Sequence, residues 1–254
     1  MPPSSQQPLC RQWIELATAQ PASVAPDRLR LWQHLQELNL SAAPQACLVN
    51  GEPGGASRWV YPTDQLLLAG QYLPPLAMRR YFICHKPVGV DCNVRAERAD
   101  SIWHLLQQLP AGTFPVGRLD KDSCGMLLLT NDGAFAARLL HPDASHQKVY
   151  QVKVDHTLTD QAMAQLQQGL LYQAGPKSIQ AKPCQARLLN ATTLEICLTE
   201  GKNRQIRYML KTLGYRVLHL QRIAIGQLAL PDLQAGQWRA LTAAELLQAG
   251  QITA

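Results

Sequence analysis

The pattern of apolar and polar positions centres on residues 117–133, which read GRLDKDSCGMLLLTNDG. A charged, turn-forming segment runs directly into the unbroken apolar run 126–129, and Thr-Asn-Asp-Gly follows it. An apolar run of this length between turn signals is typical of a strand covered on both faces. Asn131 and Asp132 then offer side-chain oxygens to the free amides at the start of a predicted helix, residues 134–140. The centre of the chain is therefore predicted to be a loop, a buried strand and a helix start.

Apolar residues that recur with the 3.6-residue helical period predict several further helices. Asp27 and Ser101 are suited to cap the first two, because their side-chain oxygens accept hydrogen bonds from free amides. Pro110 and Gly214 stand where the period stops, as expected at helix ends. The predicted helices cover residues 27–39, 101–109, 159–168, 203–213 and 243–249.

Strict alternation of polar and apolar residues is clearest in residues 148–154, which predicts a half-buried strand. It places Lys148 and Tyr150 on the same face as Val152 and Val154. Further strands are predicted at residues 80–84, 179–189, 193–198, 216–220, 223–230 and 238–240. Because the strands follow one another too closely for a regular βαβ alternation, the predicted fold class is α+β. We expect one long, mixed and mainly antiparallel sheet with helices at its sides.

Shifts in composition divide the chain into four predicted segments. Residues 1–26 contain five prolines and little apolar periodicity, which predicts a poorly ordered arm. Residues 27–72 combine a helix with two short strand candidates in a helix and hairpin module. Residues 73–79 include a Pro-Pro pair that stops both helices and strand ladders, so they are predicted to be a linker. Residues 80–254 are then the larger domain.

Composition restricts the class of protein. No apolar run approaches the roughly 20 residues needed to span a bilayer, and residues 1–20 lack the pattern of a secretory signal. We therefore expect a soluble protein located in the cytoplasm. The seven cysteines have no CxxC spacing and lie mostly in apolar sequence, so we expect reduced core residues rather than disulfides or a zinc site.

Positive charge is confined to the larger predicted domain. Residues 1–78 hold four basic and five acidic residues, a net charge of −1. Of the 24 basic and 18 acidic residues in the chain, 20 and 13 therefore lie in residues 79–254, which carry +7. A polyanionic partner is expected to bind there.

A basic helix is the second distinctive stretch, in residues 201–211, GKNRQIRYMLK. Arg204, Arg207 and Lys211 share one face at positions i, i+3 and i+7, while apolar residues fill the other. Such a stripe binds phosphates without sequence preference. A merely solvated basic face is the alternative, since net charge also favours solubility.

Other familiar chemistries lack their residues. The sequence contains no GxSxG, HExxH or GxGxxG motif and no Cys or His pair at metal-ligand spacing. Asp120 and Asp122 resemble the start of a calcium loop, but Cys124 and Asn131 stand where that loop needs oxygen ligands, the last a bidentate Glu. Taken alone, Asp120 is better explained as an ordinary capping or solvated turn residue.

Several segments, in the correct order between residues 80 and 230, resemble the motifs of RsuA-type pseudouridine synthases, which convert selected uridines of ribosomal RNA. FPVGRLDKD with the apolar run and TNDG resembles the catalytic motif, and HP with KVYQV resembles the second. EGKNRQIR, followed by LQR and IG, resembles the third motif, and HKPVGV is similar to the opening of the catalytic domain. Departures at Ser123, Cys124, Met126 and Tyr208 concern the choice of target more than the activity.

The resemblance implies a residue for each task of this reaction. Asp120 is implied as the catalytic carboxylate, which attacks either the base or C1′ of the ribose. Arg207 is the candidate for the ion pair that keeps this carboxylate charged in a dry pocket, with Arg204 as the alternative. Tyr150 is expected to stack on the extruded base and to offer its hydroxyl for proton removal. The residues expected to bind the substrate are Arg118, Lys148, Lys202, Arg204, Ile206, Lys211 and Arg222.

The module at residues 27–72 resembles an S4-type RNA-binding module. Arg28 and Leu29 open its helix, and Val49-Asn50-Gly51 follows later. Too few residues precede Val49 for the second helix of that module, and the segment lacks positive charge, so we interpret it as degenerate. A structural cap without RNA contact is the alternative, because phosphate binding needs cations.

Two rival functions stay open at this point. One is a non-catalytic RNA-binding or ribosome-assembly factor on the same scaffold, and the other is a synthase that acts on transfer RNA. The joint presence of the Asp, Tyr and Arg residues favours an enzyme. The expected partner is RNA, either ribosomal RNA or a ribosomal particle, bound by a monomer that needs no cofactor, metal or membrane.

Overall fold

The structure, a computed structural model, describes residues 29–38, 40, 42–55, 57–61, 63–73, 78–141 and 146–252. The chain separates into two compact units, one from Ala22 to Arg79 and one that includes Arg80–Ala254. The predicted N-terminal arm, the Asp27 cap and four residues of the predicted linker, 74–77, lie outside the described residues.

The smaller unit contains one α-helix, one short 3-10 helix (Pro44–Ala46) and six short strands in its described part. Strands β2 and β5 pair antiparallel, as the predicted hairpin requires, in the sheet β3-β2-β5-β6, and β1 pairs with β4. Among the described residues, the helix predicted over 27–39 covers Leu31–Glu37. The S4-type resemblance of this unit stays a prediction. Its elements are β1 (Leu29–Arg30), α1 (Leu31–Glu37), β2 (Cys47–Val49), β3 (Glu52–Pro53), β4 (Trp59–Val60), β5 (Leu66–Leu68) and β6 (Gln71–Tyr72).

The larger unit is built on a nine-stranded sheet in the order β13-β14-β10-β15-β9-β7-β17, with β16 beside β15 and β8 beside β9. Its strands are β7 (Tyr81–Lys86), β8 (Phe114–Val116), β9 (Cys124–Thr130), β10 (Lys148–Val154), β11 (Leu171–Ala174), β12 (Lys177–Gln180), β13 (Gln185–Asn190), β14 (Thr193–Leu198), β15 (Val217–Ile225), β16 (Leu228–Ala229) and β17 (Trp238–Ala240). Its helices are α2 (Trp103–Leu106), α3 (Gly133–Leu140), α4 (Asp160–Gln168), α5 (Gln205–Thr212) and α6 (Ala243–Ile252).

This sheet confirms the predicted fold class, which is α+β with a mixed and mainly antiparallel sheet. Strands β15 and β9 run parallel to each other, and they join two antiparallel halves. Strands β11 and β12 form a separate two-stranded sheet. Helices α4 and α5 pack on the half that contains β10, β14 and β15.

Strand β9 is buried along its whole length, as its apolar run predicts. Met126 and Leu128 pack with residues of α3 on one face, and Leu127 and Leu129 pack with Leu106 of α2 on the other. Burying side chains of this size stabilises the fold by about 1.5–3 kcal/mol each. Of the two predicted caps of α3, Asp132 is confirmed, because its side chain accepts a hydrogen bond from the amide of Phe135. The Asn131 side chain instead accepts from the amide of Arg80, over 2.7 Å.

Three predicted elements differ in extent or continuity from those of the structure, besides shifts of a few residues at other ends. The helix predicted over residues 101–109 is limited to α2, although Ser101 does accept a bond from the amide of Trp103. The strand predicted over residues 179–189 is divided into β12 and β13, because proline at position 183 has no amide to donate. Strand β15 is continuous where two strands were predicted, because nearly its whole length pairs with β10.

The described cysteines are free thiols, as expected, and Cys47, Cys84, Cys92 and Cys124 are buried. Burial raises the pKa of Cys84 to about 12, which keeps this thiol protonated and unreactive at neutral pH. Among the described residues, no helix is long and apolar enough to cross a membrane.

Candidate active site

A cleft of about 350 Å³ lies between β10, β15, the loop before β9 and the start of α5. Eight of the ten residues predicted for the site line it, while Arg207 and Lys211 do not. The eight are Arg118, Asp120, Lys148, Tyr150, Lys202, Arg204, Ile206 and Arg222. The fold therefore brings together residues from all three sequence motifs, which are far apart along the chain.

A close approach between two strands positions the loop that carries Asp120. Gly125 lies opposite Arg222 in the parallel pair of β9 and β15, and its φ of +106° belongs to the region that favours glycine. A Cβ atom at Gly125 would lie 2.3 Å from the carbonyl oxygen of Arg222. Because Gly125 has no side chain, the start of β9 can lie directly against β15. Strand β15 in turn pairs with β10.

Backbone hydrogen bonds hold the same loop from its other side. The amide of Gly89 donates to the carbonyl of Lys121 over 2.7 Å, and the amide of Ser123 donates to the carbonyl of Asp120 over 3.0 Å. Asp120 itself is half-buried, and its side chain lines the cleft. The Asp120 carboxylate is thus held on a tight turn at the cleft wall.

The predicted ion pair between Arg207 or Arg204 and Asp120 is not formed in the described part of the chain. Both guanidinium groups contact Asp122 instead. Arg204 donates to the two carboxylate oxygens of Asp122 over 3.0 and 2.6 Å. Arg207 lies 3.3 Å from the same carboxylate through Nε and donates to the Asp122 carbonyl over 2.7 Å.

The backbone conformation of Arg204 explains why this residue contacts Asp122 rather than Asp120. Arg204 has a left-handed backbone, with φ of 52°, and stands immediately before α5, so the helix begins at Gln205 rather than at the predicted position 203. From this position its side chain reaches Asp122, two residues beyond Asp120. Arg207, one turn further along α5, contacts the same segment, so the two arginines connect the helix to the loop.

The charges of this cluster influence one another. Burial opposes ionisation of Asp122, but the hydrogen bonds from Arg204 and the charge of Arg207 hold the pKa of Asp122 below its ordinary value. The ion pair with Asp122 raises the pKa of Arg204, and the charge of Asp120 contributes to that rise. Asp120 therefore lies within electrostatic range of a cation without a direct ion pair.

Tyr150 occupies the predicted face of β10. It lies opposite Ile196 of β14 and Arg222 of β15, and its half-buried ring packs against two hydrophobic clusters while lining the cleft. Val152, two residues further along, is fully buried on the same face. Tyr150 is therefore a rigid aromatic surface in the same cleft as Asp120.

The remaining predicted residues differ in how firmly they are held. Ile206 is 4% exposed and forms part of the cleft wall, whereas Arg118 is exposed at its edge. Lys202 donates to the carbonyl of Gln180 over 2.8 Å and is paired with Glu200. Lys211 is exposed and lies outside the cleft lining.

Sequence reasoning overlooked three residues at or beside this cleft. Asp122 was part of a quoted motif but received no role. Lys86 is completely buried and donates to the carbonyls of Pro87 and Val90 over 2.9 and 2.7 Å, where burial lowers its pKa. The Lys-Pro turn after a strand was the signal for this residue. His146 lines the cleft, and a single histidine before a strand gives no comparable signal.

Comparisons with known proteins find similarity over most of this chain. Residues 80–212 match the family model described as RNA pseudouridylate synthase. The chain is 34% identical over 209 residues to ribosomal small subunit pseudouridine synthase A of Pasteurella multocida, covering 79% of this chain and 87% of that protein. It is 33% identical over 211 residues to the RNA pseudouridine synthase YtzG of Bacillus subtilis, covering 79% and 86%.

A second Bacillus subtilis relative, ribosomal large subunit pseudouridine synthase B, is 32% identical over 173 residues, covering 65% of this chain and 69% of that protein. Among solved structures, one described as a pseudouridylate synthase superposes with a TM-score of 0.63 at 26% identity. That superposition covers 87% of this chain and 99% of the other. The similarity thus extends over both sequence and fold.

Proposed function

This chain belongs to the RNA pseudouridylate synthase family, within its RsuA-type branch, and we propose that it isomerises specific uridines of ribosomal RNA with Asp120 as the catalytic carboxylate. The observation that carries the proposal is the shared cleft, in which Asp120 and the ring of Tyr150 lie among basic side chains. Isomerisation of a uridine within RNA requires three features of the protein. These are an acidic group, an aromatic face for the base and cations that bind the phosphates.

The proposed reaction needs no cofactor, because it exchanges bonds within one nucleotide. The bond between N1 of uracil and C1′ of the ribose breaks, and a bond between C5 and C1′ forms. C5 loses its proton and N1 gains one, so atoms and electrons balance. The carboxylate of Asp120 attacks either the base or C1′. The tight turn restricts the backbone of Asp120, which limits the freedom of its carboxylate before either attack.

The target base must leave its stack before the carboxylate can reach it. Tyr150 offers the face against which the extruded uracil stacks, and its hydroxyl is available for proton removal. Ile206, buried in the wall of the cleft, packs behind the base. Stacking of a base on an aromatic side chain contributes about 1–3 kcal/mol.

Arg204 and Arg207 have a positioning role in this proposal. Through Asp122 they fix the loop on which Asp120 stands, and the charge of Asp120 contributes in turn to the raised pKa of Arg204. The arginines of the third motif therefore act on Asp120 indirectly, through their contacts with Asp122. Arg118, Lys148, Lys202 and Arg222 bind the RNA, and Lys211 contacts phosphates at the exposed edge of α5.

Ribosomal RNA is the preferred substrate class, because the relatives from Pasteurella multocida and Bacillus subtilis are named as ribosomal subunit synthases. We propose that the protein acts as a monomer on ribosomal RNA or a ribosomal particle. Transfer RNA is the rival substrate, and a non-catalytic role in ribosome assembly is the rival function.

One experiment separates these alternatives. Unmodified ribosomal RNA and transfer RNA, both labelled with tritium at C5 of uracil, are incubated with the protein, and label released to water is measured. Release from ribosomal RNA supports the proposal, whereas release from transfer RNA alone identifies the rival substrate. Tight binding of ribosomal RNA without any release would support the assembly factor instead.

A further inference from the structure

One wall of the cleft carries three basic side chains that no ion pair neutralises in the described part of the chain. Arg222 lies on β15, Lys148 opens β10, and His146 precedes Lys148 by two residues. The antiparallel pairing of β10 with β15 places Tyr150 opposite Arg222 and Lys148 opposite Ile225. The three groups therefore share the wall that also presents the ring of Tyr150.

Arg222 is built into this wall. The residue is 5% exposed, and its Nε donates to the carbonyl of Met126 over 2.9 Å. One terminal nitrogen of its guanidinium, Nη2, is buried and has no hydrogen-bond partner among the described residues. A buried donor without an acceptor destabilises the fold, and more strongly when it is charged. The backbone of Arg222 cannot withdraw, because it is packed against Gly125.

Lys148 extends the positive surface of this wall, and His146 adds an imidazole nitrogen beside it. Burial and the neighbouring charge of Arg222 lower the pKa of Lys148, and burial together with Lys148 lowers the pKa of His146. Lys148 donates to the carbonyl of His146 over 3.3 Å, and the His146 Nε2 atom is buried without a partner among the residues described. Like charges that repel one another in a partly buried wall are stabilised by a bound anion.

A phosphate suits this wall better than the uracil carbonyls do. A carbonyl oxygen accepts hydrogen bonds, but it does not compensate the positive charges of Arg222 and Lys148. A phosphodiester brings a full negative charge and two free oxygens, which accept charge-assisted bonds from a guanidinium and an ammonium group at the same time. We propose that Arg222, Lys148 and His146 form an anion subsite for a phosphate that flanks the extruded uridine. This inference rests on the proposed function and adds a defined ligand to its cleft.

The subsite fixes the position of the nucleotide relative to Tyr150. A phosphate held by Arg222 and Lys148 anchors the backbone beside the aromatic ring, so the attached base is directed onto that ring. The phosphate on either the 5′ or the 3′ side of the uridine has the required chemistry. Separate ligands that carry only one of them distinguish the two.

The test measures binding of uridine, uridine 5′-monophosphate and uridine 3′-monophosphate to the full-length protein by NMR titration at low salt. One of the two monophosphates is expected to bind about tenfold more tightly than uridine, because a charge-assisted pair replaces water at the subsite. Arg222→Gln and Lys148→Gln are each expected to remove most of this preference. His146→Gln is expected to reduce it less.

Lys153→Gln is the matched control, because Lys153 lies on β10 but on its exposed face. It is expected to leave the preference unchanged. If Arg222→Gln does not fold, Lys148→Gln and His146→Gln decide the outcome. Equal binding of uridine and both monophosphates to the unmodified protein would overturn the subsite, as would a preference that survives in Lys148→Gln.

Failure of the subsite and failure of the proposed function are distinguishable. Asp120→Asn is expected to keep the preference for the monophosphate, because Asp120 is not part of the subsite. Release of tritium from RNA without a phosphate preference overturns the subsite alone. A phosphate preference without any release from RNA overturns the proposed function.

Discussion

The guanidinium of Arg204 bonds both carboxylate oxygens of Asp122, although 82 positions separate the two residues in the chain. This pair connects the start of α5 to the loop that carries Asp120. Arg207 strengthens the connection through the carbonyl of Asp122. The loop is therefore held from the helix side by ion pairs and from the β15 side by the contact between Gly125 and Arg222.

Asp122→Asn is predicted to lower the rate of isomerisation about 10- to 100-fold while changing RNA affinity by less than about threefold, because a displaced catalytic group loses rate steeply. An amide cannot accept from both guanidinium nitrogens as the carboxylate does, so the loop loses its side-chain anchor to Arg204 and keeps only its backbone contacts. Single-turnover tritium release and equilibrium binding of the same RNA measure the two effects.

Glu195→Gln is the matched control for that variant. Glu195 accepts a similar pair of bonds from Arg187, over 2.8 and 3.1 Å, on the exposed surface of β13 and β14. It is expected to leave the rate unchanged. An equal loss of rate in both variants would mean that the Asp122 pair has no special role.

Gly125→Ala is predicted to destabilise the protein by about 3 kcal/mol or more, since overpacking and a positive φ act together. The added Cβ would meet the backbone of Arg222 at 2.3 and 2.6 Å, and neither strand can move without breaking the sheet. Gly133→Ala is the control, because a Cβ there meets no atom within 4 Å. Thermal unfolding followed by circular dichroism should show a large drop for the first variant and a small change for the second.

Tyr150→Ala is predicted to reduce turnover more than RNA affinity, because the stacked base belongs to the reacting geometry while phosphates supply most of the binding. Tyr150→Phe keeps the aromatic face and removes the hydroxyl, so it isolates the contribution of proton removal. The measurement is the single-turnover rate beside the dissociation constant of the same RNA. A loss confined to affinity in Tyr150→Ala would argue against stacking during the reaction.

The ion pair of Arg239 and Glu245 predicts a pH-dependent part of the stability. Hydrogen bonds from Arg239 lower the pKa of Glu245 from 4.5 to about 2. Because the folded pKa lies below the unfolded one, the stabilisation is complete above about pH 4.5 and is lost as the pH falls towards 2. At neutral pH it amounts to about 1–3 kcal/mol, since the pair is only partly exposed.

Urea unfolding of the unmodified protein and of Glu245→Gln at pH 7 and at pH 3 measures this dependence. The difference between the two proteins should be largest at pH 7 and should shrink at pH 3. A difference that stays constant would show that the ionisation of Glu245 does not contribute to stability.

Local patterns account for the parts of this fold that the sequence predicted. The buried run of β9, the Asp132 cap and the strand β10 are each determined by neighbouring residues, and all three are found in the structure. The burial of β10 alternates only at residues 152–154, because residues 148–151 are all half-buried. The motifs that resemble the family also lead to one cleft. The positions of Asp120 and Tyr150 could thus be predicted because each depends on a strand with a clear pattern.

Contacts between distant segments account for what could not be predicted. Whether Arg204 reaches Asp120 or Asp122 depends on a left-handed residue before α5 and on the exact approach of that helix to the loop. The parallel pairing of β9 with β15 depends on register, which apolar periodicity does not encode. His146 could be recognised as a site residue only from the structure, because the pairing of β10 with β15 places it near Arg222 in the cleft.

The most direct test of the central claim uses ribosomal RNA from cells that lack this gene. The unmodified protein and Asp120→Asn are each incubated with that RNA, and pseudouridine is mapped at single-nucleotide resolution. The account predicts new pseudouridine at one or a few positions with the unmodified protein and none with Asp120→Asn, while both proteins show the same thermal unfolding. Equal modification by the two proteins would contradict the catalytic role of Asp120.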